Sequence, residues 1–515
     1  MSPRFQFCVT DPGLPLPHVW EHTVGSDHAP VALRADWQAQ LARCHRELGF
    51  RHVRFHGLLS DDMGTLITHK NQPLHSFFNA DQIFDFVLSI GMRPFVELSF
   101  MPTRLASGGK TVFRYRGNVT PPRDPAEWGA LIGKLVAHWV DRYGAEEVRE
   151  WFFEVWNEPN LKAFWTGTRA DYFELYRHTA RAIKEVDPDL RVGGPSSAKN
   201  AWIPEFLEFC AREGLPADFV TTHHYPTDAF GKPGDDTVTQ LSKSRRSVLR
   251  DQAREARRQA GAKPLYYTEW NSSSNPRDPL HDQPYAAAFV GKTVMEAAEL
   301  VQGYSFWTFT DVFAENYWPS VPFHGGFGLL NLHGITKPTY RVFELLHRLG
   351  TERLAPQVRG GPGEVGGRAA SGAAEHAGSR SEALHATVDA WAVRGGGSVT
   401  VLVTNHALPR HPIRTELVEL VLAGITGAPR GAFLERVDED HANPRRVWQE
   451  MGAPEYLSPR EVEGLQAASA LIREPLPWRN VGEGAIRLDV SLPPHAVAAV
   501  TIELACSASA PAPEA

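Results

Sequence analysis

Trp151-Phe152-Phe153-Glu154-Val155-Trp156-Asn157-Glu158-Pro159-Asn160 is the stretch on which the fold turns. An apolar, aromatic run suited to a buried strand ends abruptly in Asn-Glu-Pro. A carboxylate at the mouth of a buried strand is costly to hold unless it does chemistry. The proline after it stops the strand and fixes the local backbone.

Comparable apolar or β-branched runs recur at Val19–Thr23, His52–His56, Pro94–Phe100, Leu190–Gly193, Asp218–His223, Leu265–Glu269 and Gly303–Phe309. With Trp151–Trp156 they make eight strands, and helical patterns separate them. Asn79 is placed to cap a helix whose Ile83, Phe84, Val87 and Leu88 share one face, with Gly91 as its stop. Asp124-Pro125-Ala126-Glu127 reads as N-cap, first-turn proline and N3 acid, and Gly144 closes that helix. Eight strands alternating with helices over residues 18–349 predict an α/β chain built on a (β/α)8 TIM barrel. A doubly wound open sheet is the rival, weakened because no GxGxxG follows the first strand.

Past residue 350 the texture changes. Arg359–Ser381 is rich in Gly, Ala and polar residues and predicts a flexible loop. Val388–Val393 and Ser398–Asn405 alternate as strands around Gly395-Gly396-Gly397, and Glu416–Leu422, Ala485–Leu492 and Ala496–Ile502 are also strand-like. An accessory antiparallel β-sandwich over 350–506 follows, with a disordered tail at 507–515 and an N-terminal segment, 1–17, able to join the sandwich. A chain of 515 residues exceeds what one core serves, which agrees with two domains.

Net charge is −7 with both signs interspersed, so no basic stripe exists to grip nucleic acid. Cys8, Cys44, Cys210 and Cys506 lie far apart and show no metal-ligand spacing. Neither a signal peptide nor a run of membrane-spanning length is visible, and a cytoplasmic protein without membrane partners is expected.

In such a barrel, functional residues gather at the C-terminal ends of the strands. Those ends carry Arg54 and His56 (second), Asn157 and Glu158 (fourth), His223, His224 and Tyr225 (sixth), Glu269 (seventh) and Trp307 (eighth). Fourth and seventh strands face each other across the mouth. Two carboxylates meeting there suit glycoside hydrolysis, one protonating the leaving oxygen while the other attacks carbon or activates water. Plainer readings stand beside this one. His56 and His223 are also readable as hydrogen-bonded core histidines, Tyr225 as packing and Trp307 as barrel filling. The sharper roles are a hydrogen bond from Tyr225 that keeps Glu269 ionised, and an aromatic face at Trp307 for a sugar. His223 and His224, adjacent on a strand, point to opposite faces and cannot share an ion, so no metal and no cofactor is expected.

The motifs together resemble glycoside hydrolase family 39, the β-xylosidase and α-L-iduronidase family, and its bacterial β-xylosidase branch in particular. The matching segments include His56-Gly57-Leu58-Leu59, Gly117-Asn118-Val119-Thr120-Pro121-Pro122, Phe153 through Lys162, Thr268-Glu269-Trp270-Asn271, Trp307-Thr308-Phe309-Thr310-Asp311 and His324 through Leu329. The resemblance implies a retaining exo-glycosidase acting on short oligosaccharides or glycosides, with Glu158 as acid/base and Glu269 as nucleophile. It implies that Asn157 binds the sugar's 2-hydroxyl, that His56, His223, Trp307 and Glu315 line the pocket of the non-reducing sugar, and that Tyr225 neighbours the nucleophile. A homo-oligomer is compatible with it. The chain departs from the family pattern at Ser274, where a tyrosine is usual, and at Ala314, where the first of two glutamates is usual. These departures touch sugar recognition rather than chemistry, and α-L-arabinosides enter as alternative substrates.

Overall fold

The computed structural model describes residues 2–229, 234–315, 318–357 and 387–505. The loop expected at 359–381 and the tail expected at 507–515 fall outside the described residues. Eight parallel strands close into a barrel: β1 Thr23–His28, β2 His52–His56, β3 Arg93–Leu98, β4 Phe152–Val155, β5 Arg191–Ala198, β6 Phe219–His224, β7 Leu265–Trp270 and β8 Gly303–Phe306.

The first strand is not where the apolar run placed it. Val19–Glu21 forms a short 3-10 helix with Trp20 wholly buried, and β1 begins only at Thr23. Its sequence, Thr-Val-Gly-Ser-Asp-His, is buried throughout yet mostly polar, so it carries no hydrophobic signature. The helix before β3 spans Phe78–Ser89, and Asn79 lies inside its first turn instead of capping it. Its amide is engaged elsewhere, donating to the Met63 carbonyl at 3.1 Å. Asp124 does cap Pro125–Tyr143, accepting from the Ala126 amide, and Gly144 follows the last turn.

Aromatic residues seal the N-terminal end of the barrel. Phe95, Phe152, Phe219 and Tyr266 form one buried cluster, with Phe95 and Phe152 stacked at 5.0 Å between centroids. His22 and His52 stack beside them. With that end plugged by apolar rings, polar chemistry has only the C-terminal mouth to use.

Past the barrel, two sheets face each other over a core that includes Phe7, Val401, Leu420 and Val500. One of them contains the N-terminal strand Arg4–Cys8, which pairs in parallel with Glu416–Ala423 inside an otherwise antiparallel arrangement. Two helices, Pro444–Glu450 and Pro459–Ala468, interrupt the strands. They seat Trp448 and Leu465 against Phe323 and Ile335, in the segment that follows β8. Among the described residues no helix is long and apolar enough to cross a membrane.

That same segment is knotted by a buried lysine. Lys337, fully inaccessible, lies 2.7 Å from Asp282 and 2.6 Å from Asp311, and donates to the Gly326 carbonyl at 2.9 Å. Burial disfavours the ammonium, yet the two carboxylates outweigh it and hold the lysine's pKa above its ordinary value. Lys337→Met would strand two buried carboxylates, at a cost of about 3–5 kcal/mol. The expected outcome is a markedly lower urea midpoint at neutral pH; an unchanged midpoint would refute the knot's importance.

Candidate active site

Glu158 stands just past β4 on a turn that the backbone does not adopt freely. Trp156 and Glu158 both have positive φ, 72° and 44°. Such conformations cost free energy and persist only where surroundings over-determine them. Here the Trp156 indole is buried and donates to the Phe164 carbonyl at 2.8 Å, while the Glu158 amide donates to the Ser196 carbonyl at 2.8 Å. The turn is locked, and the carboxyl projects into the mouth with 8% of its residue surface exposed.

Glu269 comes from the end of β7. Arg54 Nη1 donates to its Oε1 at 2.9 Å, and the Tyr225 hydroxyl donates to its Oε2 at 3.1 Å. His56 Nε2 lies 3.6 Å from Oε1 and His223 Nδ1 3.5 Å from Oε2. A carboxylate oxygen of Glu158, one of Glu269 and a ring nitrogen of His223 all lie within 4.8 Å of one another. Three such groups have the donor types for a cation, but the Arg54 guanidinium already occupies the electrostatic role on Glu269. His224 turns away, as its place on the strand requires, and meets the Tyr304 hydroxyl at 2.7 Å.

The eight residues given catalytic or sugar-binding roles from the sequence, His56, Asn157, Glu158, His223, Tyr225, Glu269, Trp307 and Glu315, line one cavity of about 320 Å³. Trp307 packs against His56 at 4.7 Å between ring centroids. Its indole has room because residue 25 on β1 is glycine: a Cβ there would come within 2.5 Å of the Trp307 ring. Glu315 Oε1 lies 3.5 Å from His56 Nε2. His56 and His223 fit both earlier readings, since each is buried and hydrogen-bonded and each also faces the cavity. Ser274 lines the wall with Thr227, their hydroxyls 2.9 Å apart, and Ala314 is buried with its amide donating to Asp27.

Beneath the cavity lies a charged layer in which the sequence reading gave Arg54, Glu97 and Glu154 no role. Arg54, with no exposed surface, reaches Glu97 at 2.7 Å, Glu154 at 2.6 Å and Glu269 at 2.9 Å, and also donates to Asn157 Oδ1 at 3.1 Å. Glu97 in turn binds His56 Nδ1 at 2.6 Å. The available signal was a charged residue flanked by apolar neighbours within each of three strands: Arg54 in β2, Glu97 in β3 and Glu154 in β4. A lone charge in a barrel wall needs a partner across the interior.

These contacts separate the two mouth carboxyls electrostatically. Burial pushes Glu158 well above the ordinary carboxylate range, and the nearby Glu269 pushes it further. Burial also raises Glu269, but Arg54 and His56 pull against that rise. Burial followed by the Glu269 charge holds the Tyr225 hydroxyl protonated, as a donor must be. His223 is kept neutral by burial and by Arg54.

The family model for glycosyl hydrolases family 39 matches residues 8–485. The chain belongs to that family. It is 49% identical to a β-xylosidase of Caldicellulosiruptor saccharolyticus over 94% of this chain and 95% of that one. It is 37% identical to a β-xylosidase of Geobacillus stearothermophilus, covering 94% and 92% respectively. Among solved structures, a monomeric β-xylosidase of Caulobacter crescentus CB15 superposes with a TM-score of 0.80 at 31% identity, covering 98% of this chain and 100% of that one. This protein is therefore a glycoside hydrolase on a TIM barrel.

Gly25→Ala tests how tightly the barrel wall holds Trp307. The added methyl overpacks the ring and should cost about 1–3 kcal/mol. A lower thermal midpoint with a raised KM is expected, and retention of both wild-type values would show that Trp307 is free to move.

Proposed function

We propose that this protein is a retaining exo-β-xylosidase, releasing one xylose at a time from the non-reducing end of short xylo-oligosaccharides or xylosides. The observation that carries the reading is the spacing of Glu158 and Glu269, whose nearest approach falls within 4.8 Å. Retaining enzymes hold their carboxyls about 5–5.5 Å apart, too close for water to enter between carboxylate and sugar at the attack step. The names of the two curated relatives support the choice of xylose.

Glu269 attacks the anomeric carbon while Glu158 gives its proton to the departing oxygen. A glycosyl ester forms on Glu269 as the glycosidic bond breaks. Glu158, now a carboxylate, takes a proton from water, and that water displaces Glu269 from the anomeric carbon. Arg54 and Tyr225 hold Glu269 ionised and aimed. Asn157 is placed for the 2-hydroxyl, and His56, Trp307 and Glu315 for the far side of the ring. A second reading, hydrolysis of α-L-arabinosides, is favoured by Ser274 at the cavity wall and by Ala314, buried beside Glu315. A panel of aryl pyranosides and furanosides separates the two. As part of the same proposal the enzyme is placed in the cytoplasm, since Cys8, Cys44 and Cys210 are free thiols.

Glu269→Ala should lose nearly all turnover on an aryl β-xyloside. Azide should restore it by taking the vacated place and yielding the α-glycosyl azide; recovery of the β-azide would overturn the assignment of the nucleophile. A pH profile of kcat/KM supplies an independent check. Activity rises as Glu269 loses its proton and falls as Glu158 loses its own, so both limbs should lie above about 4.3, the unperturbed glutamate value. Glu158→Gln cannot deprotonate, and on a substrate with a good leaving group it should abolish the basic limb alone. Survival of that limb in Glu158→Gln would assign it to another residue.

A further inference from the structure

A chain of short contacts runs from Glu158 down into the barrel wall. Glu158 Oε1 meets His223 Nδ1 at 3.0 Å, and His223 Nε2 meets Thr268 Oγ1 at 3.0 Å. The Thr268 hydroxyl donates to Glu154 Oε1 at 2.8 Å, and Glu154 Oε2 receives Arg54 Nε at 2.6 Å. Every member beyond Glu158 is at most 1% exposed, so no bulk water substitutes for a missing partner.

Proton counting gives this chain a direction. Glu154, ion-paired with Arg54, accepts from both neighbours, which commits the single hydroxyl proton of Thr268 to Glu154. The Thr268 oxygen then has only lone pairs to offer His223, so His223 Nε2 must carry a proton and donate it. A neutral imidazole has one N–H. Nδ1 is therefore left as an acceptor, and the group facing it at 3.0 Å must be a donor. Only a protonated Glu158 satisfies that position. The competing contacts are longer: Arg54 Nη2 stands 3.4 Å from Nε2, and Glu269 Oε2 stands 3.5 Å from Nδ1. That arginine nitrogen is already directed at Glu97 and Asn157.

We propose that Thr268 and Glu154 are positioning residues that fix the Nε2–H tautomer of His223, and that this tautomer holds the general-acid proton on Glu158 by accepting it. The idea deepens the acid/base assignment above and rests on it. Arg54 anchors the chain at one end, and the reacting oxygen waits at the other. Other charges also bear on the outcome. Glu158 faces Glu269, Glu97 and Glu315, the Tyr225 phenol, and the cations Arg54 and Lys199. His223 additionally faces His56 and His224. The chain acts in the same sense as the carboxylates and against the two cations.

The tautomer is measurable without turnover. In protein labelled with ¹⁵N-histidine, the His223 signals, assigned by their loss in His223→Gln, should show a protonated Nε2 and a bare Nδ1. A protonated Nδ1 would overturn the proposal whatever the enzyme's substrate proves to be. Thr268→Val then removes the acceptor while keeping the shape. His223 is freed to turn its proton toward Glu158, which favours the ionised acid. The basic limb of kcat/KM on an aryl xyloside should move down by about one pH unit, the size expected of one hydrogen bond. Thr268→Ser should restore it. An unmoved limb in a folded Thr268→Val protein, or no difference between the valine and serine variants, would refute the relay while leaving Glu158 as the acid.

Discussion

A guanidinium buried without any access to water constrains the rest of this molecule. Arg54 cannot lose its charge in a protein, and an uncompensated charge in a low-dielectric interior costs several kcal/mol. It is tolerable only because Glu97, Glu154 and Glu269 converge on it from β3, β4 and β7. The dependence is mutual, since none of those carboxylates would stay charged in an apolar barrel wall without a cation. Barrel interiors are ordinarily filled by layers of branched apolar residues. Here one layer is ionic, set above the aromatic plug formed by Phe95, Phe152, Phe219 and Tyr266.

The ionic layer divides the labour between the two mouth carboxyls. Glu269 touches Arg54 directly, whereas Glu158 reaches it through His223, by a 3.4 Å contact with the guanidinium and by the shorter route over Thr268 and Glu154. The same cation thus favours the ionised form of one group by contact. At Glu158 its charge pulls in the same sense, but burial and the Glu269 charge outweigh it, and the proposed hydrogen-bond chain through His223 adds to their side. Two glutamates of equal intrinsic acidity are thus pushed apart by their surroundings. Their mutual repulsion completes the arrangement, because whichever carboxyl ionises first raises the pKa of its neighbour.

What the sequence made legible follows from what each contact depends on. Glu158 and Glu269 could be placed because the apolar runs of β4 and β7 end at them, and strand ends map to the barrel mouth. Strand β1 could not be located, since its buried residues are polar and the hydrophobic signal belongs to Val19 and Trp20 just before it. The helices at Pro444–Glu450 and Pro459–Ala468 were missed for a different reason: they pack through only a few large residues, among them Trp448 and Leu465. The parallel pairing of Arg4–Cys8 with Glu416–Ala423 joins segments some 400 residues apart, beyond any local pattern. Arg54 was visible at its strand end, but its partners come from other strands, and closing the barrel is what brings them together.

Chemistry and recognition rest on different parts of the structure. The two mouth carboxyls are fixed by strands and by the turn locked through Trp156, so they depend on the closed sheet itself. Trp307 and Glu315 follow β8 on a segment that the sheet does not hold alone. It is steadied by the Lys337 knot to Asp282 and Asp311, and from outside by Trp448 and Leu465. Ser274 and Ala314 also lie beyond the ends of β7 and β8. A substitution there can reshape the wall around the sugar without disturbing a charge in the Arg54 layer. The barrel can therefore keep one hydrolytic mechanism while its rim changes which sugar it accepts.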